Sequence, residues 1–171
     1  MRAPASRSAR IRRQREQFEA LRAGLDAVDM LFVDETWAGL AMSRMYGYSP
    51  PGEPAVIHRA VRGPNVSVIG AMSCRGPEAL GFDHGGVNGE AFLAWVRTKL
   101  ARRLRAGSLV IMDQLRVHKK SDIREEIEKH GAKVVFLPAY SPELNPIEHV
   151  WAMVKSVVKT VGPERIAELK S

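Results

Sequence analysis

Cysteine is almost absent from this chain. Cys74 stands alone among 171 residues, which excludes an intrachain disulfide framework and leaves no thiolate cluster for structural zinc. A reducing, cytoplasmic setting is the corresponding expectation. Long apolar runs are missing too. No stretch approaches the roughly 20 apolar residues that a membrane-crossing helix needs, and the arginine-rich N-terminus lacks the apolar segment of a secretion signal. Acidic charge is also in short supply: 19 Asp and Glu stand against 26 Lys and Arg, a formal net charge of +7. Such an excess favours a polyanionic partner, nucleic acid first, because each neutralised phosphate releases counterions. What is present, 45% hydrophobic residues over 171 positions, is enough to fill the core of one domain of ordinary size.

Residues 1–24 read as a basic arm or linker ahead of a domain at 25–171. The arm carries Arg2, Arg7, Arg10, Arg12, Arg13, Arg15 and Arg22 against Glu16 and Glu19, with few large apolar side chains. Two readings stand side by side: a solvated, partly helical tail, or a phosphate-contacting arm that orders on DNA. From Val28 the pattern changes. VDMLFVDE is a buried strand ending in Asp34 and Glu35. The runs GLAMSRMYGYS, AVIHRAV, NVSVIGAMS and ALGFDHGG, separated by turn-rich SPPGEP and RGPN, predict antiparallel hairpins.

Alternation follows. Asn88 is placed to cap a helix over GEAFLAWVRTKLARRLR, with Phe92, Val96, Leu100 and Leu104 on one face. SLVIMD is a continuously apolar strand of the kind buried on both faces of a parallel sheet, and it ends at Asp113. Ser121 is placed to cap DIREEIEKH, Gly131 to end it, and KVVFLP to supply another strand before a final helix from Pro146. The fold class is therefore α/β: hairpins, then parallel strands, in a mixed sheet with helices on its faces.

LFVD and VIMD share one shape, an apolar run that finishes on an aspartate. In open α/β sheets ligands sit beyond the carboxyl ends of strands, where strand order reverses, so neighbouring strands would bring Asp34 and Asp113 together there. A strand-ending aspartate that merely begins a turn is the plainer alternative. The three prolines of LPAYSPELNPIEHVWAMVK stiffen a loop that delivers Asn145 to an N-cap and Glu148 to the first helical turn. There Glu148 either closes a capping box with Asn145 or projects a carboxylate from the helix start. Glu35, His118, Lys119 and Lys120 have readings both as site residues and as solvated ones. His149 is left structural, Tyr140 and Trp151 are expected to pack the last loop and helix on the sheet, and Trp37 to pack in the core or at its rim.

With FVDET, VIMDQLRVHK and LPAYSPELNPIEHVW in place, the chain resembles the mariner-like DDE transposases, especially those of bacterial insertion sequences of the six-thirty type. The third motif is the specific one, and the resemblance runs from about Val28 to about Val158. It implies an RNase H-like fold and carries the catalytic, metal-binding positions onto Asp34, Asp113 and Glu148, with 34 residues between the last two as the family spacing requires. It further implies Mg²⁺ or Mn²⁺, two ions in all, and strand cleavage and transfer at transposon ends. The implied partners are double-stranded DNA and a second copy of the chain in a homodimer on DNA. Carboxylates suit that chemistry, because magnesium requires hard oxygen ligands and paired ions activate the attacking oxygen while neutralising the leaving one. Two departures stand out. Gln114 follows the second aspartate where asparagine is common. No segment before residue 28 is long enough for the helix-turn-helix region with which such transposases begin, so the chain reads as the catalytic half alone: the second reading frame of a two-frame element, a truncated remnant, or an isolated domain. The alternatives are a catalytically impaired DNA-binding remnant and an RNase H-like nuclease without strand transfer.

Overall fold

The computed structural model describes residues 9–39, 48–54, 56, 65–84 and 86–168, with the side chains of 38, 39, 65, 84 and 158–168 outside that description. Helix α1 (Ala9–Ala23) leads into a hairpin meander of β1 (Met30–Gly39), β2 (Asn65–Ser73) and β3 (Gly76–His84). Then come α2 (Gly89–Trp95), β4 (Leu109–Met112), α3 (Ser121–Glu128), β5 (Lys133–Phe136) and α4 (Ile147–Glu168). The strands form one sheet in the order β3-β2-β1-β4-β5. Pairing is antiparallel between β1 and β2 and between β2 and β3, and parallel between β1 and β4 and between β4 and β5. The mixed α/β sheet expected from the order of hairpins and alternation is the observed one. The runs at 39–49 and 55–61 lie largely outside the described residues.

Side chains alternate across the strands, so the sheet separates cores on its two faces. On one face Val33, Ile69, Ala71, Val110 and Met112 pack with Phe92, Trp95, Val96 and Leu100 and with Ile123 and Ile127 of α3. On the other, Met30, Leu109 and Ile111 meet Phe18 of α1 and Leu137, while Val68 meets Ile147 and Trp151 of α4. Burying each large apolar side chain contributes about 1.5–3 kcal/mol, which is why β4, apolar and buried at every position, lies inside the sheet between β1 and β5. Gly131 ends α3 as expected, in the left-handed conformation (φ 73°) where a side chain is strained.

Three local expectations are corrected. The arm is not a free tail: residues 9–23 form α1, and Ile11 and Phe18 are buried, Phe18 against Met30, Leu109 and Ile111. Apolar burial outweighs the surrounding arginines. The helix over residues 89–105 is α-helical only to Trp95, then runs through a π turn (Val96–Leu100) and a 3₁₀ turn (Ala101–Arg103). Phe92, Val96 and Leu100 of its stripe are buried and Leu104 partly so, and Asn88 does cap it, Oδ1 accepting from Ala91 N–H at 2.9 Å. Ser121 is not a cap: it is the first residue of α3, and Lys120 occupies the capping position without a side-chain bond.

Candidate active site

Strand order reverses between β1 and β4, and their parallel register ends with the pair Val33 and Met112. The next residue on each strand is an acid, so Asp34 and Asp113 emerge side by side at the crevice where α/β sheets hold ligands. The final loop then brings Glu148 across: Asp34, Asp113, Gln114, Lys119, Asn145 and Glu148 line one cleft of about 510 Å³, walled by residues 137–142. The three sequence-predicted acids are thus brought to one place.

Each carboxylate is held differently. Asp34 is buried at 8% exposure and accepts a hydrogen bond at Oδ2 from the Trp151 indole Nε1–H, 3.1 Å away. The indole reaches it by lying across Gly70, the register partner of Asp34, where a Cβ would come within 2.5 Å of the ring. Burial pushes Asp34 up to about 6, reinforced by the charges of Glu148 and Asp113 and opposed by the Glu35 backbone and Trp151 bonds. For Asp113 burial pulls the same way, but the His118 bond, the Leu115 N–H and the Lys119 charge outweigh it and hold the carboxyl below its ordinary range.

Behind the site, His118 is fully buried, with Nδ1 2.7 Å from Asp113 Oδ1 and Nε2 3.1 Å from Glu35 Oε1. The second contact is out of line for a hydrogen bond and acts as an ion pair. Burial alone would lower this imidazole, yet Asp113 and Glu35 together hold it up at about 9. Strand alternation explains the pairing: Glu35 points to the face opposite Asp34, so it supports the site from behind rather than lining it. His118 is neither a solvated loop residue nor a phosphate contact. Its spacing five residues after Asp113 was the available signal.

The remaining expectations divide. The capping box is absent: Asn145 Oδ1 is buried without a partner and Asn145 N–H goes to Pro142 O, so neither half of the reciprocal pair forms. Gln114 turns away from the carboxylates, its Nε2–H₂ donating to Leu137 O at 3.0 Å while Oε1 accepts from Lys119 Nζ at 3.3 Å. Lys120 lies over Gly89 and does not line the cleft, and His149 lines a separate groove with Arg22 and Cys74. Trp151 packs as expected, but Tyr140 (64% exposed) and Trp37 (57% exposed) do not.

A protein-family profile described as DDE superfamily endonuclease matches residues 29–170. The chain belongs to that family. No match was found among curated proteins. Among solved structures, the DDE endonuclease chain resembles the Mos1 mariner paired end complex with Mn at a TM-score of 0.73 and 18% identity, covering 92% of this chain and 50% of that one. The Mos1 Strand Transfer Complex superimposes at 0.69 and 19% identity, covering 87% and 47%. The Mos1 transposase catalytic domain with Raltegravir and Mg gives 0.64 at 14% identity, covering 99% and 82%. The chain spans about half the length of the Mos1 chains in the paired end and strand transfer complexes. The fold of this DDE endonuclease is therefore the RNase H-like fold of a transposase catalytic domain, and none of its described helices is long and apolar enough to cross a membrane.

Among the described residues, no three His, Cys, Asp or Glu side chains converge closely enough to chelate an ion. The donor chemistry nevertheless suits a hard cation. Three carboxylates line one cleft, two of them raise the third by repulsion, and Glu148 is exposed and without a capping role.

Proposed function

We propose that this chain is the catalytic domain of a mariner-like transposase of the bacterial six-thirty insertion-sequence type, cutting and joining DNA strands with Asp34, Asp113 and Glu148 as its metal-binding, catalytic carboxylates. The observation that carries the reading is the meeting of these three acids in one cleft, with Asp34 raised to about 6 by burial and by its two acidic neighbours. Uncompensated, that clustering destabilises the fold, so it has a purpose only where cations arrive. Two Mg²⁺ or Mn²⁺ ions, when bound, would activate the attacking hydroxyl and neutralise charge on phosphate and leaving oxygen.

The chain's own residues prepare the site. Trp151 fixes Asp34, His118 and the Leu115 N–H fix Asp113, and Lys119 places a cation at the cleft wall where a phosphodiester would lie. Gln114, committed to Leu137, leaves both aspartates untouched, which favours a competent enzyme over an impaired remnant. The proposal includes a helix-turn-helix half supplying recognition of transposon ends, a homodimer on DNA and a cytoplasmic setting.

Nicking of supercoiled DNA in Mn²⁺ tests the proposal. Asp113→Asn and Glu148→Gln should abolish cleavage and reduce the thermal stabilisation that Mn²⁺ confers, while leaving metal-free melting nearly unchanged for Glu148→Gln. Wild-type cleavage and metal response in the Gln variant would remove Glu148 from the site.

A further inference from the structure

The loop that walls the cleft and delivers Glu148 is held at its start by Gln114, which donates to Leu137 O. Its middle is held from an unexpected direction. Arg15, on α1 and outside the segment matched by the family, donates from Nη2 to Tyr140 O at 3.0 Å and pairs with Glu143 Oε1 at 2.8 Å. The guanidinium is largely buried (16% exposed), and its Nε has no partner, an unmet donor that a side chain present only for packing or solubility would avoid. At the gripped residue the backbone is strained: Tyr140 has φ of 54°, the one non-glycine left-handed residue among those described. Strain of that kind persists only where surrounding contacts enforce it, and Arg15 supplies two, one on each side of Ser141. Ile11 and Phe18, four residues before and three after, anchor the helix that aims Arg15.

We propose that Arg15 is a positioning residue: by clamping Tyr140 and Glu143 it fixes the course of the 139–145 loop and hence the approach of Glu148 to Asp34 and Asp113. The inference rests on the metal-dependent reading of the cleft. It assigns the basic helix, or this arginine at least, to building the site rather than to contacting phosphate.

Arg15→Met keeps the apolar stem and removes both contacts. Glu143→Gln removes only the ion pair, at a half-exposed position that leaves folding secure. Titrating the full chain with Mn²⁺ alone by calorimetry, at a temperature where each variant is folded, should show affinity weakened roughly tenfold in Arg15→Met, the scale for losing a group that orients ligands. Glu143→Gln should lose less. In plasmid nicking, kcat should fall while KM for DNA stays within about twofold of wild type. Wild-type Mn²⁺ affinity in both variants would overturn the proposal, as would a raised KM with unchanged kcat, which marks a phosphate contact. A wild-type chain that binds no Mn²⁺ sinks the metal reading and this proposal together, whereas wild-type binding with unaffected variants sinks this one alone.

Discussion

Replacing Trp151 by Phe tests the electrostatics of the cleft most directly. An aromatic ring is kept, though the Cη2 and Cζ2 atoms that lie over Gly70 go with the indole, and the 3.1 Å bond to Asp34 Oδ2 is lost. A hydrogen bond to a buried charged group is worth about 1.5–3 kcal/mol, and one pKa unit corresponds to about 1.4 kcal/mol. Asp34, already pushed up to about 6, should therefore titrate about one to two units higher in the variant. At pH 7 its ionised fraction falls from about nine-tenths to between half and one-tenth. Because a proton and a cation compete for the same oxygens, Mn²⁺ affinity at pH 7 should drop by roughly two- to tenfold. The gap should widen at pH 6 and close toward pH 9, where both proteins are ionised. Calorimetric titration with Mn²⁺ at intervals between pH 6 and 8.5 measures it. Affinity curves that run parallel, offset equally at every pH, would refute the reasoning, since a packing defect carries no pH dependence.

Three further outcomes are expected. Asp34→Asn should raise metal-free stability at neutral pH by up to about 3 kcal/mol while removing the response to Mn²⁺: a carboxyl whose folded value is raised to about 6 weakens the fold as pH climbs from about 4 to 6, and the amide escapes that loss. His118, raised to about 9, contributes stability that is complete below pH 6.5 and fades as pH rises through 9; urea melts should show up to about 3 kcal/mol of that decline in wild type and none in His118→Gln. Phe18→Ala should destabilise by about 3 kcal/mol, as for other buried aromatics, and no loss in urea unfolding would mean that α1 is a detachable tail.

The legible parts of this protein were those governed by short periods and chain punctuation. LFVD and VIMD advertise two buried strands with acids at matching ends, and the prolines and Asn145 mark the final loop and helix start. The contributions of α1 and of the groups behind the acids were hidden. In α1 only Ile11 and Phe18 are buried, seven residues apart among arginines, so composition pointed to an arm while two side chains decided the docking. The role of Trp151 was half visible: a buried indole needs a partner for its N–H, but which acceptor lies opposite depends on β2 offering Gly70 beneath the ring. His118 joins Asp113 and Glu35 across strands 78 positions apart in sequence, a pairing set by topology. Glu148 was ambiguous because capping and ligation ask for the same residue at the same turn, and the orphaned Asn145 Oδ1 resolves it against the cap.

The bond from Arg15 to Tyr140 spans 125 residues and that from Asp34 to Trp151 spans 117. At a synthesis rate of about 5–20 residues per second, α1 leaves the ribosome roughly 6–25 seconds before the loop it grips exists. Phe18 waits as long for Leu137. The cleft is incomplete on a nascent chain until the last helix is made, so a product broken off before Ile147 carries Asp34 and Asp113 but neither the indole that steadies one nor the helix bearing the third acid. On the proposed function, order of manufacture would thus withhold any cutting activity from incomplete copies.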